Sequence, residues 1–492
     1  MFGVFAPGED VARLTFFGLH ALQHRGQESA GIASSDGERI ALYAQMGLVS
    51  QVFDEAALEG LQGIAAIGHT RYSTTGANVA CNVQPLLVED RAGYLPLIDG
   101  QPRQLALAHN GNIVNADILR ADLESQGVEF ETTTDSEVLA QLLATAPGAT
   151  WEARFATLMR RANGAYSLTV LTRDAIFGVR DPNGIRPLCI GKLDAGHAGY
   201  VFASETCALD HLGATFVREV EPGEVVRIDR YGITSWRVAE PLRPALCLLE
   251  YIYFARPDSR MRGQLLYQAR MRMGEQLAIE HPAEADIVIG IPDSATAAAI
   301  GYARGSGIPY VEALVKNRYV GRTFIQPDQR LRDRGVQLKF NPLPELLEGR
   351  RVVVVDDTIV RGTTTPRVVA MLRKAGAREV HMRITSPPIQ HPCFYGVDMA
   401  TRGELIAAHQ GVDDIRQHIG ADTLGYLSIE GTAAATRQPE ETLCTACFTG
   451  QYPREVPLQL DKFVLEQPVA RARHAIPLGG PLTVVGAPPA AR

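Results

Sequence analysis

The segment that most restricts what this chain can fold into is residues 351–365, RVVVVDDTIVRGTTT. A run of valines reads as a buried strand that ends in two acids, Asp356 and Asp357. A short loop follows, with Arg361, Gly362, Thr363 and Thr364, and it opens a helix. Glycine permits a tight turn and close backbone approach. The loop N–H groups and the helix N-terminus then face an anion, and threonine hydroxyls add donors. The paired acids can serve sugar hydroxyls, directly or through Mg²⁺, a cation that prefers oxygen ligands. Alone, DD or GTT is most often a strand-end turn with capping residues. Together, on a strand–loop–helix frame, they point to a phosphorylated sugar. No GK[ST] is present, which disfavours a nucleoside-triphosphate P-loop.

The surroundings agree with that frame. Strand signals at 287–291, 352–355 and 380–384 alternate with helical stretches at 295–304 and 364–375. Such alternation predicts a doubly wound parallel sheet, with ligands at the carboxyl ends of the strands. The stretch 316–337, KNRYVGRTFIQPDQRLRDRGVQ, carries Lys316, Arg318, Arg322, Arg330, Arg332 and Arg334. By itself it reads as a solvated basic loop. Next to a phosphate loop it reads as a lid that neutralises pyrophosphate and excludes water.

Before about Leu242 the character differs. Short strands at 65–69, 105–109, 166–171 and 224–228 show little alternation with helices, which predicts an α+β layered domain. Residues 88–104 read as a loop, and the tail from Pro477 is rich in Pro, Ala and Gly. The length of 492 residues suits two to four domains at about 150 residues each.

Bulk properties exclude several classes. The net charge of -7 argues against nucleic acid, whose binding needs excess positive charge. No run nears the roughly eighteen apolar residues of a membrane span. The start, MFGVFAPGED, lacks a basic targeting region, so a cytoplasmic protein is expected. Seven cysteines, an odd number scattered over a long chain, are no disulfide framework. Cys444 and Cys447 form a C-x-x-C that could be zinc-binding or redox-active.

The loop at 356–364 resembles the fingerprint of type I phosphoribosyltransferases. Taken with GLHALQHRGQESAGI, GHTRYSTTG, LAHNGNIVN, TTTDSE, DPNGIRPL, ASETCALD, EYIYFARPDS, PDSATAAAIGYA, SPPIQHPCFYG and GADTLGYLSIEG, the chain resembles the amidophosphoribosyltransferase family from Phe2 to about Pro453. The resemblance implies an N-terminal-nucleophile glutaminase domain, a four-layer αββα fold, over 1–240. It implies a type I phosphoribosyltransferase domain over 241–455, then a tail over 456–492. The implied reaction is the first committed step of purine synthesis, forming 5-phosphoribosylamine from phosphoribosyl pyrophosphate with ammonia from glutamine.

Residue by residue, the resemblance implies that Arg71 holds the glutamine carboxylate and Asp135 its ammonium, with Arg25 and Gly26 supporting the pocket. Asn110 and Gly111 would form the oxyanion hole. Asp356, Asp357, Arg361, Gly362, Thr363, Thr364, Lys316 and Arg322 would hold phosphoribosyl pyrophosphate. One Mg²⁺ per chain would sit at Ser294, Asp356 and Asp357. Cys247, Cys393, Cys444 and Cys447 would ligate a [4Fe–4S] cluster, with zinc in a Cys₄ site as the alternative. The family further implies a homotetramer inhibited by purine nucleotides.

One departure stands out. The family's mature chain begins with a nucleophilic cysteine, and here Phe2 is read at that position, with no thiol and with a ring expected to intrude on the glutamine pocket. Glutamine-dependent activity is then expected to be lost while ammonia-dependent activity remains. The alternative from another class is a non-catalytic sensor of phosphoribosyl pyrophosphate or purine nucleotides. Glutamine–fructose-6-phosphate transaminase and asparagine synthetase share the first domain, but the loop at 356–364 decides against both.

Overall fold

The computed structural model of this protein describes residues 1–73, 75–89, 104–193, 199–317, 339–398, 401–456 and 465. Arg318, Arg322, Arg330, Arg332 and Arg334 of the basic stretch lie outside them, as does the tail from 466. The chain divides into two compact units. The first holds Met1–Leu246, Phe394–Asp398 and Pro453–Arg492, and the second Cys247–Cys393 and Met399–Tyr452.

In the first unit, two antiparallel sheets are built from short, largely buried strands. These are β1 (Phe2–Phe5), β2 (Ser29–Ser35), β3 (Ile40–Met46), β4 (Ala65–Arg71), β5 (Leu86–Glu89), β6 (Gln104–Ile113), β7 (Gly164–Leu171), β8 (Ala175–Arg180), β9 (Cys189–Leu193), β10 (Gly199–Ala203), β11 (Ala214–Glu219), β12 (Glu224–Asp229) and β13 (Gly232–Arg237). Among the described residues one sheet runs β11-β9-β10-β1-β4-β2-β3 and the other β13-β12-β8-β7-β6-β5. The stretch read as a loop from 88 thus begins inside β5, and residue 104 opens β6.

Strand alternation sorts the side chains into three apolar layers. Phe2 and Val4 of β1 face the helix Val11–Ala21, packing with Val11, Ala12 and Leu19. Met1 and Phe5 face the other way, between the sheets, with Ile67, Ala106 and Ala108. On the far side, Leu105 and Leu107 of β6 meet Leu139, Leu142, Phe155 and Leu158 of the helices Asp135–Thr145 and Trp151–Arg161. Helix, sheet, sheet, helix is the expected αββα order. The first helix is capped at Asp10, whose carboxylate accepts from Arg13 N–H at 2.9 Å.

The second unit centres on four parallel strands among the described residues, in the order Ile287–Gly290, Arg351–Asp356, Glu379–Ile384 and Thr423–Tyr426. Helices Thr296–Ser306 and Thr365–Lys374 follow the first two. Helices Leu266–Glu280 and Thr296–Ser306 cross with backbone nearly touching backbone. A Cβ at Gly274 would collide with the Ala298 carbonyl, and one at Gly301 with that of Met271. The alternation read from the sequence is therefore the real organisation, with edges moved by one or two residues.

Candidate functional site

In the first unit the residues expected to hold glutamine line the ends of β4 and β6. Alternation along β4 points Ile67 between the sheets, so His69 and Arg71 share that direction. Arg71 is almost wholly buried. Its guanidinium donates to the carbonyls of Ala77 at 3.2 Å and of Thr75 and Gly76 at 3.3 Å each. Burial pulls its pKa below the usual arginine value, with Glu28 and Asp135 opposing. Gly26 lies against it, since a Cβ there would collide with the backbone of Thr70 and Arg71. Arg25 is engaged with Glu205, Nη1 to Oε1 at 2.5 Å, and His24 reaches the same oxygen at 2.6 Å. Glu205 is a partner that the sequence did not single out.

Asp135 opens the helix Asp135–Thr145 and is buried. Its Oδ2 accepts from Ile113 N–H at 3.1 Å and lies 3.6 Å from His109 Nδ1. Burial lowers the His109 pKa, so that ring stays neutral, although Asp135 raises it. On β6, Ala106 and Ala108 face the inter-sheet layer, and Asn110 follows them in the alternation. The Asn110 amide nitrogen is buried with no hydrogen-bond partner, a donor held ready for an oxygen. Gly111 has φ +152, and a Cβ there would collide with the Ala165 carbonyl. Only glycine fits there.

Phe2 behaves differently from the expectation. Its ring is fully buried against the helix Val11–Ala21, where a Cβ added at Gly18 would lie 2.6 Å from it. Phe2 pairs with Gly68 and Ala203, three residues short of Arg71 along β4. At about 3.3 Å per strand residue, that is on the order of 10 Å from Arg71, on the opposite face. The ring therefore points away from the face that carries Arg71, because the strand's alternation sends it into the helix layer.

In the second unit, two loops leave adjoining strands at the same end. Gly290 pairs with Val355, and Ile291 N–H donates to the Val355 carbonyl at 2.9 Å. The turn carrying Asp293 and Ser294 and the loop from Asp357 to Thr364 thus start side by side. Asp356 Oδ1 accepts from Asp357 N–H at 2.9 Å, and Asp357 Oδ1 from the Thr358 hydroxyl at 2.9 Å. Burial, then the Asp357 charge, pushes the Asp356 carboxyl well above the usual range. Gly362 has φ +65, and a Cβ there would press on Ile406. Ile406 N–H donates to the Val360 carbonyl at 3.0 Å, and His418 Nε2 lies 3.2 Å from the Gly362 carbonyl. Arg361, Thr363 and Thr364 are exposed at the loop tip. Lys316 Nζ pairs with Asp293 at 2.5 Å, while Arg322 lies outside the described residues. Sequence reasoning missed Ile406 and His418, since nothing local marks them.

The seven cysteines form no disulfide. Cys247 and Cys444 lie on two short strands that pair with each other. Burial raises the Cys447 thiol pKa, and Cys247, Cys393 and Cys444 raise it further, so the four share one neighbourhood. Among the described residues no three His, Cys, Asp or Glu side chains converge as ligands of one metal ion. No helix among them is long and apolar enough to cross a membrane.

The chain matches the glutamine amidotransferase domain over residues 81–211 and the phosphoribosyl transferase domain over 262–385. It is 52% identical over 471 residues to the amidophosphoribosyltransferase of Synechococcus elongatus, covering 95% of this chain and 94% of that one. A solved allosteric regulatory enzyme of purine biosynthesis superposes with TM-score 0.87 at 47% identity, over 95% of this chain and 99% of that one. The glutamine phosphoribosylpyrophosphate amidotransferase of B. subtilis, complexed with ADP and GMP, gives TM-score 0.85 at 48% identity, over 93% and 98%.

Proposed function

The chain belongs to the amidophosphoribosyltransferase family, pentosyltransferases of the first step of purine biosynthesis, and we propose how its own residues perform that reaction. The observation that carries the reading is that the Ser294 turn and the Asp356–Thr364 loop leave the carboxyl ends of two paired, adjoining strands. The loop N–H groups and Thr363 and Thr364 hold the 5-phosphate. Asp356 and Asp357 hold the ribose hydroxyls, and Lys316 and Arg322 meet the pyrophosphate. Ammonia attacks the anomeric carbon, the bond to pyrophosphate oxygen breaks, and pyrophosphate leaves with the electron pair. The ammonium proton passes to solvent. Two carboxylates and the Ser294 hydroxyl are an oxygen donor set suited to Mg²⁺, which when bound neutralises the leaving group.

The glutamine pocket is read as Arg71 for the carboxylate, Asp135 for the ammonium, and Asn110 with Gly111 for the oxyanion, with Arg25 and Gly26 behind them. The unpartnered Asn110 side-chain nitrogen supports this reading. Phe2 brings no thiol and faces the wrong layer, so ammonia is expected to be the nitrogen donor of the chain with this sequence. The shared neighbourhood of Cys247, Cys393, Cys444 and Cys447 supports a [4Fe–4S] cluster. Purine nucleotides are proposed as inhibitors because the B. subtilis relative was solved with ADP and GMP, and a homotetramer is proposed from the family resemblance.

The test is direct. Phosphoribosyl pyrophosphate, Mg²⁺ and an ammonium salt should give pyrophosphate and phosphoribosylamine in equal amounts. Binding without pyrophosphate release would favour the sensor reading.

A further inference from the structure

We propose that Asn112 is the positioning residue that sets the spacing of the glutamine pocket. The inference rests on the reading of Arg71 and Asn110 given above. Asn112 stands two residues after Asn110 on β6, on the same face by strand alternation, and is 7% exposed. Both ends of its amide are committed. Its Oδ1 accepts from the Thr75 hydroxyl at 2.6 Å, and its Nδ2 donates to the Phe394 carbonyl at 3.1 Å. Thr75 is the residue whose own carbonyl accepts from the Arg71 guanidinium at 3.3 Å. A short chain of bonds therefore runs from the oxyanion strand, through Asn112 and Thr75, to Arg71.

That connection answers a geometric need. Glutamine presents its carboxylate at one end and its carboxamide at the other, with a fixed span of carbons between. Arg71 and Asn110 must be held at the matching separation, yet they come from different sheets. Asn112 joins the loop that grips Arg71 to the strand that carries Asn110. The second bond, to Phe394, ties the same amide to the segment Phe394–Asp398, which belongs to the first unit although it lies far along the chain. Gly396 of that segment abuts Gly111, since a Cβ there would lie 2.7 Å from its backbone. The oxyanion strand is thus braced from the Thr75 loop and from Phe394–Asp398.

The experiment is a calorimetric titration of the full-length protein with L-glutamine. Thr75→Val should weaken binding about tenfold, the loss expected for one buried hydrogen bond, and Asn112→Ala, which also removes the bond to Phe394, by at least as much. Thr75→Ser keeps the hydroxyl and should bind within about twofold of the parent. The double variant Asn112→Ala/Thr75→Val should bind no worse than the weaker single variant, because both remove the same bond. Additive losses, or parent-like affinity of Thr75→Val, overturn the proposal. If Asn112→Ala does not fold, the contrast between Thr75→Val and Thr75→Ser still decides. Arg71→Ala is the control for the pocket itself. If it binds like the parent, or the parent does not bind, the pocket reading falls and this inference falls with it.

Discussion

At the scale of single residues, what a side chain can do is decided by the face on which its strand presents it. Phe2 shows this. Its neighbours in the chain, Met1 and Gly3, face the other way, and the Phe2 ring is locked against Gly18. Phe2→Cys is therefore expected not to produce glutamine hydrolysis. It would place a thiol in the layer between the sheet and the helix Val11–Ala21, and would cost stability by emptying the space of a buried ring. Losses of about 3–5 kcal/mol are typical of such large-to-small changes. Glutamate release measured with and without the substitution checks this, and a gain of hydrolysis in the variant would show the register argument to be wrong. The order of motifs in the sequence marks Arg71, Asn110, Gly111 and Asp135 as a candidate set. It could not show that Phe2 faces away from them, because a one-residue step along a strand reverses direction and MFGVF has no polar residue to mark the phase. Thr75, Asn112 and Glu205 were illegible for a different reason. Their partners are 37, 282 and 180 residues away in sequence.

At the scale of elements, the strand–loop–helix at 351–374 was the most legible part of the chain. Its signals are local: a valine run, two acids, a positive-φ glycine, and Pro366 in the first turn of the helix. Local signals could not give the protonation of the pair. Burial and the Asp357 charge keep the Asp356 carboxyl above its unfolded value, so the folded state retains a proton that the unfolded chain releases. That favours folding only at low pH, below the ordinary carboxylate range, and the contribution is lost as pH rises. Asp356→Asn preserves the acceptor for Asp357 N–H and should raise the melting temperature of the metal-free protein above about pH 5. It should make little difference near about pH 3, where both states are protonated. A thermal melt series across that range checks it, and the opposite trend would contradict the buried-acid account. Mg²⁺ should in turn displace the proton, so its binding should strengthen as pH rises, with proton release seen as buffer-dependent heat. For catalysis, Asp356→Ala or Asp357→Ala should remove a few kcal/mol of transition-state stabilisation with ammonia as donor. Parent-like rates in both would move the sugar site elsewhere.

At the scale of the whole molecule, three of the four cysteines of the proposed cluster lie near places where the chain passes from one unit to the other. Cys247 directly follows Leu246, Cys393 directly precedes Phe394, and Cys447 lies shortly before the passage from Tyr452 to Pro453. Segments that leave a unit and return must be closed against conformational entropy, and ligation of distant thiolates does so only in the folded state. A cluster there would fix three separate stretches of the second unit at once. Anaerobically purified protein should then be brown, with iron and sulfide each near about four per chain, as the cluster's composition requires. Replacing any one of Cys247, Cys393, Cys444 or Cys447 with Ser should lower the melting temperature by roughly 5 °C or more. The same change at Cys81 or Cys189, which lie in the first unit, should do less. Soluble yield should follow the same order. Zinc at one per chain with no iron would replace the cluster by a Cys₄ zinc site. Metal-free protein whose four Ser variants melt with the parent would leave these thiols as ordinary side chains, whose neighbourhood reflects packing alone.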